Sequence, residues 1–268
     1  MEYKFKKYFL YTRSVLLFLK DFKIKQVLFG IISIITVLRN SVISLIKKKV
    51  VCPHCNYTGY AFDPFFQYPT VSYRSNARCP YCGSLERHRL LSIYLQEIKE
   101  LIKNYKILEI APNRGFRKYF KSKNYFSVDL NMKGVDVFCD LEDGIPFKSE
   151  TFDFIVCYHV IEHVKNDLNA LKEIKRILKF GRKALVQVPI NENISATIEY
   201  KEPNLEEHGH YRTYGRDFFS KLRYAGFNVE IKKFESLPSK DRLKYGIKNE
   251  YIIIAKSQKD DIRSNLNV

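Results

Sequence analysis

Four of the six cysteines stand in two pairs, Cys52-Pro-His-Cys55 and Cys79-Pro-Tyr-Cys82. Each C-P-x-C turn aims two thiols the same way, and two such turns can present four thiolates tetrahedrally to one zinc ion. The 23 residues between the pairs slightly exceed the usual ribbon spacing. Four thiolates close the coordination sphere, so the metal is structural; the alternative is free or redox thiols. Cys139 and Cys157 lie in apolar runs and read as buried thiols, a usage that suits a reducing compartment better than a disulfide framework. His54 and His88 are spare ligand candidates, or else surface residues beside the ribbon. Tyr57, Tyr60, Phe62, Phe65, Phe66, Tyr68 and Tyr73 supply its small core, or else a stacking surface for sugars or bases.

A second chemistry-bearing set follows. Glu109 ends the apolar run of KILEIAPNRGF (Lys106–Phe116), Asp129 follows Tyr125–Val128, Asp140 follows Val135–Cys139, and Tyr158-His159 close Phe154–Tyr158. Short apolar runs bounded by turn residues read as buried strands. Further strands are expected at Ala184–Val188, Asn228–Phe234 and Tyr251–Ala255, with helices at Leu168–Leu178 and Arg216–Tyr224. Such alternation predicts a mostly parallel sheet with helices on both faces. Its ligand sits outside the carboxyl ends of the strands, where these acids gather, and Asp129 is spaced to meet ribose hydroxyls. There is no G-x-G-x-x-G and no second nucleotide half, which argues against a dinucleotide. His208 and His210, two apart on an extended loop, face one side and are candidates for a general base, with His159 as a third; hydrogen-bonded structural histidines are the alternative. Glu162 and His163 fall in the turn after the fourth strand. Arg212 and Tyr214 read as groups for a phosphate or sugar, or, for Tyr214, as helix-start packing.

From Glu109 onward the chain resembles the class I S-adenosylmethionine-dependent methyltransferases, whose first strand leads into E-x-G-x-G-x-G. Glu109 and Gly115 match the acid and last glycine; Ala111 and Asn113 replace the first two glycines. Pro112 biases Ala111 towards an extended backbone, and Asn113 tolerates a left-handed one. DFIVCYHVIEHVKNDLNALKEIKRILKFGRKALVQVPI is similar to the family's D-x-I-x-x-x-H-V-x-E-H-V pattern with its following helix and L-K-x-G-G, Arg182 replacing the second glycine. The resemblance implies a Rossmann-like α/β fold with a seven-stranded sheet and S-adenosylmethionine as cofactor. It implies that Glu109, Ala111, Pro112, Asn113, Gly115 and Phe116 line the methionine part. Asp129-Leu130 would take the ribose, Asp140-Leu141 border the adenine, and Tyr158 close the fourth-strand side. With the cysteine ribbon and the H-x-H-x-R-x-Y-G run, the chain resembles a bacterial subgroup with an N-terminal zinc ribbon, which implies a carbohydrate or lipid-linked glycan acceptor.

The formal net charge is +17, and residues 1–50 hold 11 basic against 2 acidic side chains, or +9. An anionic partner follows from such an excess, unless the lysines are simply solvated. Ile31, Ile34, Ile35, Leu38, Val42, Leu45 and Ile46 share one helical face, opposite Gly30, Ser33, Asn40 and Ser44. Arg39 interrupts a membrane span. The segment is expected to lie on an anionic membrane surface; packing on the protein's own core or on a partner, or a true span, are the alternatives. No secretory leader is legible, which fits a cytoplasmic protein resting on the inner membrane face. The segmentation reads as a basic helical segment (1–50), a zinc ribbon (51–83), a linking helix capped by Ser84 (84–104), a catalytic domain (105–257) and a polar tail (258–268). Three functions fit: O-methylation of a glycan, methylation of RNA through a nucleic-acid-binding ribbon, and a non-catalytic ribbon on a degenerate fold.

Overall fold

Apolar β-branched runs separated by turn and helix signals determine the architecture of the computed structural model, which describes residues 24–67, 72–113, 115–120 and 122–258. The chain divides into two compact units: Met1–Ile93 with Phe234–Glu250, and Tyr94–Lys233 with Tyr251–Val268.

The second unit is built on a seven-stranded sheet. Its strands are β5 (Ile107–Ile110), β6 (Tyr125–Asp129), β7 (Val137–Phe138), β8 (Phe152–Tyr158), β9 (Leu178–Gln187), β12 (Phe227–Lys233) and β13 (Tyr251–Ser257), in the order β12-β13-β9-β8-β5-β6-β7. From β9 to β7 all neighbours run parallel; β13 is antiparallel to both β9 and β12. This is the Rossmann-like arrangement expected. β5 is buried along its whole length and β8 almost so, as strands covered on both faces must be. Helix α3 (Asp167–Ile177) buries Ala170, Leu171, Ile174 and Ile177 in the core, and Asn166 caps it by accepting from Asn169 N–H at 3.1 Å. The short α4 (Phe218–Tyr224) buries Phe218 and Leu222.

Three local features depart from the expected pattern. After Gly115 the chain forms only a 3-10 turn, Arg117–Tyr119, where the family pattern leads from strand through turn to helix. Strand β9 begins at Leu178, and a bulge at Gly181 (φ 73°) shifts its register against β8. A hairpin was not foreseen: β10 (Ile198–Asn204) pairs antiparallel with β11 (His210–Thr213). Cys139 and Cys157 are buried, as expected.

In the first unit, helix α1 (Ile24–Ile43) precedes β1 (Val50–Val51), β2 (Thr58–Gly59), β3 (Asp63–Gln67) and β4 (Ser72–Arg78). Helices α2 (Glu86–Ile98) and α5 (Ser239–Tyr245) follow, and the division between the units falls within α2. The mildly polar stripe of α1 packs inward: Ser33 and Asn40 are buried, and Asn40 Nδ2 donates to Phe62 O. The apolar stripe faces outward, with Ile31, Ile35, Leu38, Val42, Leu45 and Ile46 exposed, the last two at 82% and 89%. Packing on the protein's own core therefore does not account for that face. No helix among the described residues is long and apolar enough to cross a membrane. Of the aromatics between the cysteine pairs, Phe62 is fully buried; Tyr68 lies outside the described residues.

Candidate active site

The loop after β5 is shaped by a buried acid. Glu109 accepts from Asn113 N–H at 2.9 Å and from the Tyr125 hydroxyl at 2.7 Å. Burial pushes its carboxyl up to about 7, against the pull of those two donors. Tyr125 is held in turn by the Arg117 guanidinium, 4.1 Å from its ring centroid. Ala111, not Asn113, takes the left-handed conformation, with φ 51°. That reverses the expectation for this pair, and a residue before proline strongly disfavours such a backbone. Asn113 instead turns its side chain back, Oδ1 accepting from Gly115 N–H at 2.9 Å. Phe116 is buried and meets Tyr158 edge-on, centroids 6.3 Å apart.

The strand-end acids line one edge of the sheet. Ile110 pairs with Val128 and with Cys157, and Asp129 with Phe138. Glu109, Asp129, Asp140 and Tyr158 thus lie at or near the carboxyl ends of four adjacent strands. Asp129 Oδ1 accepts from Asn131 and Met132 N–H, each at 2.7 Å; among the described residues nothing donates to Oδ2. Asp140 Oδ1 accepts from Glu142 N–H. Leu130 is exposed and Leu141 buried.

Beyond Tyr158 the chain turns sharply: His159 has φ 59°, and a 3-10 turn carries Ile161–His163. Glu162 is 1% exposed and its Oε1 lies 3.0 Å from His159 Nδ1. The hairpin delivers two more imidazoles. His210 starts β11, its ring centroid 4.7 Å from that of His163 and 6.1 Å from that of His208. His208 is left-handed at φ 61° rather than extended, yet its ring still adjoins that of His210. Burial lowers the His210 pKa below its usual value. Backbone strain of this kind clusters where a site over-determines its geometry.

Arg212 locks this arrangement. It is 3% exposed, and its guanidinium donates to the carbonyls of Ile161, Val164 and Lys165 and to Glu199. Tyr214 is fully buried, donating to Asp167 at the start of α3 at 2.7 Å. The two residues therefore tie β11 to the turn bearing Glu162 and His163, and four of the five Arg212 N–H donors are spent on protein acceptors.

A family model described as a methyltransferase domain matches residues 73–231, more than half of the chain. The chain belongs to this methyltransferase family. Two relatives from Methanocaldococcus jannaschii are both described as uncharacterized proteins. One is 54% identical over 44 residues, 16% of this chain; the other is 32% identical over 106 residues, 36% of this chain. The chain spans 19% and 52% of their respective lengths. Among solved structures, 1,6-didemethyltoxoflavin-N1-methyltransferase of Burkholderia thailandensis aligns with a TM-score of 0.44 and 13% identity, over 65% of this chain and 84% of that one.

The cysteine cluster lies in the first unit, its second pair falling inside the matched residues. Cys52 and Cys82 sulfurs are 3.8 Å apart, and those of Cys55 and Cys79 3.7 Å. Zinc–sulfur bonds of about 2.3 Å in a tetrahedron place sulfurs about 3.8 Å apart, so the donor set fits that ion. Ser84 Oγ lies 3.2 Å from the Cys52 and Cys82 sulfurs, so Ser84 serves the thiols rather than capping α2. Arg89, 0% exposed, stacks under Phe62 at 4.0 Å and donates to the carbonyls of Ala77, Ser84, Tyr245 and Gly246. A positive φ and the Phe62 ring, 2.6 Å from where a Cβ would stand, require glycine at 246. His54 is buried and bonded to Ser92 Oγ at 2.8 Å, and His88 Nδ1 accepts from Leu85 N–H; neither is the bare surface residue its sequence suggested. Sequence reading also missed the pairing of His159 with Glu162, although their i, i+3 spacing was a legible signal. The roles of Tyr125, Arg89 and Arg212 had no such signal.

Proposed function

We propose that the chain transfers a methyl group from S-adenosylmethionine to a hydroxyl oxygen of a carbohydrate or lipid-linked glycan. The observation that carries this reading is the acid-lined edge of β5–β6–β7 lying beside a histidine-rich turn on β8. A cationic, ribose-bearing cofactor suits such an edge. Asp129 would hold the ribose hydroxyls and Asp140-Leu141 border the adenine. The loop from Ala111 to Phe116, braced by Glu109, would hold the methionine part, with Tyr158 closing the opposite side. S-adenosylmethionine, when bound, supplies the methyl group on a sulfonium that is its own leaving group. The protein's task is to hold the acceptor oxygen in line, where positioning provides most of the acceleration, and to take its proton, for which His208, His210 and His159 are candidates. The four cysteines would hold structural zinc, and the outward apolar stripe of α1, followed by Lys47, Lys48 and Lys49, would rest on an anionic membrane bearing the acceptor.

Calorimetry of cofactor binding tests the reading without knowledge of the acceptor. A charge-assisted hydrogen bond is worth about 1.5–3 kcal/mol, so Asp129→Ala should weaken S-adenosylmethionine binding by roughly 10- to 150-fold. Asp129→Asn, which can still accept from Asn131 and Met132, should also weaken it. Unchanged affinity in both would displace the ribose site; a wild-type protein without affinity would remove methyl transfer altogether.

A further inference from the structure

We infer that Glu162, His163 and His210 form a binding site for one divalent transition-metal ion, separate from the cysteine cluster. The inference rests on the reading of the chain as an O-methyltransferase only in the role it gives the ion. A Glu162 carboxylate oxygen and one ring nitrogen each from His163 and His210 lie within 4.8 Å of one another. Metal bonds of about 2.0–2.2 Å bring any two donors within about 4.3 Å, a closure that rotation of the exposed His163 ring supplies.

A second observation points to a ligand. Glu162 is 1% exposed, and its Oε2 is buried without a hydrogen-bond partner among the described residues. A buried carboxylate oxygen left bare costs several times what a satisfied one does, and a cation at that oxygen removes the cost. Its other oxygen is engaged by His159 Nδ1, the outer-sphere hydrogen bond that orients a ligating carboxylate. His159 is therefore a positioning residue. Arg212 holds the carbonyls on either side of the Glu162-His163 turn from the strand that carries His210, so the three donors are assembled before any ion arrives. Two borderline imidazoles and one hard carboxylate suit a first-row transition metal and leave coordination positions open.

Those open positions give the ion its work. An acceptor hydroxyl bound there would lose its proton near neutral pH to His208, whose ring adjoins that of His210 and which is the base candidate that neither binds the ion nor orients its ligands. The resulting oxygen would attack the methyl carbon as the carbon–sulfur bond breaks, its electron pair passing to sulfur to leave the neutral thioether. The cluster lies just past the end of β8, next to the strand that leads into the Glu109 loop.

Mn2+, a hard ion with little affinity for thiolates, is the probe. It is titrated into the full-length, zinc-loaded protein and followed by electron paramagnetic resonance. One Mn2+ per chain is expected. Glu162→Gln and His163→Asn should each lose more than the roughly 10- to 100-fold that removal of an outer-sphere partner costs. His163 is exposed, so His163→Asn decides the matter should Glu162→Gln fail to fold. No bound Mn2+ at millimolar concentration, or wild-type binding in a folded variant, overturns the site. S-adenosylmethionine affinity, measured on the same samples, separates the two readings. Mn2+ binding without cofactor binding removes methyl transfer and keeps the ion site; cofactor binding without Mn2+ does the reverse.

Discussion

Glu109 shows how one side chain can carry both architecture and sensitivity to pH. Its carboxyl titrates near 4.5 when unfolded and near 7 when buried. Between those values the native state holds the proton more tightly, so stability contributed by this group is complete below about pH 4.5 and declines as pH rises through 7. A shift of this size corresponds to about 3 kcal/mol. Glu109→Gln should therefore abolish that decline, read as the difference between wild-type and variant denaturation midpoints at pH 5 and pH 8. Burial raises Glu250 in the same direction, to about 7, so only the difference curve isolates Glu109; parallel curves would deny it the role. Its importance was legible from its place at a strand end. Its partners were not: Tyr125 lies 16 residues away and reaches it only because β5 and β6 pair in register. The left-handed Ala111 was misjudged because local preference pointed to Asn113, whereas the Glu109–Asn113 bond draws Asn113 back onto the strand and leaves the turn to Ala111.

Elements with a strong period were readable, and those without one were not. The parallel strands are continuous apolar runs, and α3 repeats its apolar positions at helical spacing, so both were placed within a few residues. The β10–β11 hairpin carries IEYKEPN, mostly exposed and with a proline, and so offers no alternation to recognise. Without that hairpin, His208 and His210 could be named as candidates but not brought against Glu162 and His163. Helix α1 is the opposite case, its period plain and its direction ambiguous. Apolar residues normally turn inward, yet here Gly30, Ser33 and Asn40 do so and the isoleucines face out. Exposed apolar area of this extent marks an interaction surface, and the +9 charge of the first fifty residues favours an anionic one. Full-length protein should co-sediment with vesicles containing phosphatidylglycerol, and Ile35→Asp with Leu38→Asp should lower the bound fraction at least tenfold. Equal sedimentation with neutral vesicles, or concentration-dependent self-association in their absence, would contradict the charge argument.

At the scale of the whole molecule, the six cysteines divide into two populations. Four are gathered around a zinc-sized space, while Cys139 and Cys157 are buried in the sheet unit, where burial raises both thiol pKa values. A thiol reagent should find little to modify in the native protein. After chelation it should titrate four thiols per chain, and the remaining two only after denaturation. Simultaneous modification of all six on chelation would mean that the sheet depends on the metal. A zinc ion held by the four thiolates would carry a net charge of −2, which the buried Arg89 guanidinium would partly offset within the first unit. Chelation should thus destabilise that unit beyond the loss of the metal bonds themselves.

The reach of Arg89 also sets an order of events during synthesis. Its partners Tyr245 and Gly246 lie 156 and 157 residues further along the chain. At about 5–20 residues per second, a ribosome takes roughly 8–30 s to travel that distance. Throughout that interval both cysteine pairs are already made while the segment that closes over Arg89 has yet to be translated. A metal bound by the nascent cysteine cluster would therefore be met by an open, solvated structure, and Arg89 is sealed in only once Tyr245 and Gly246 have been made.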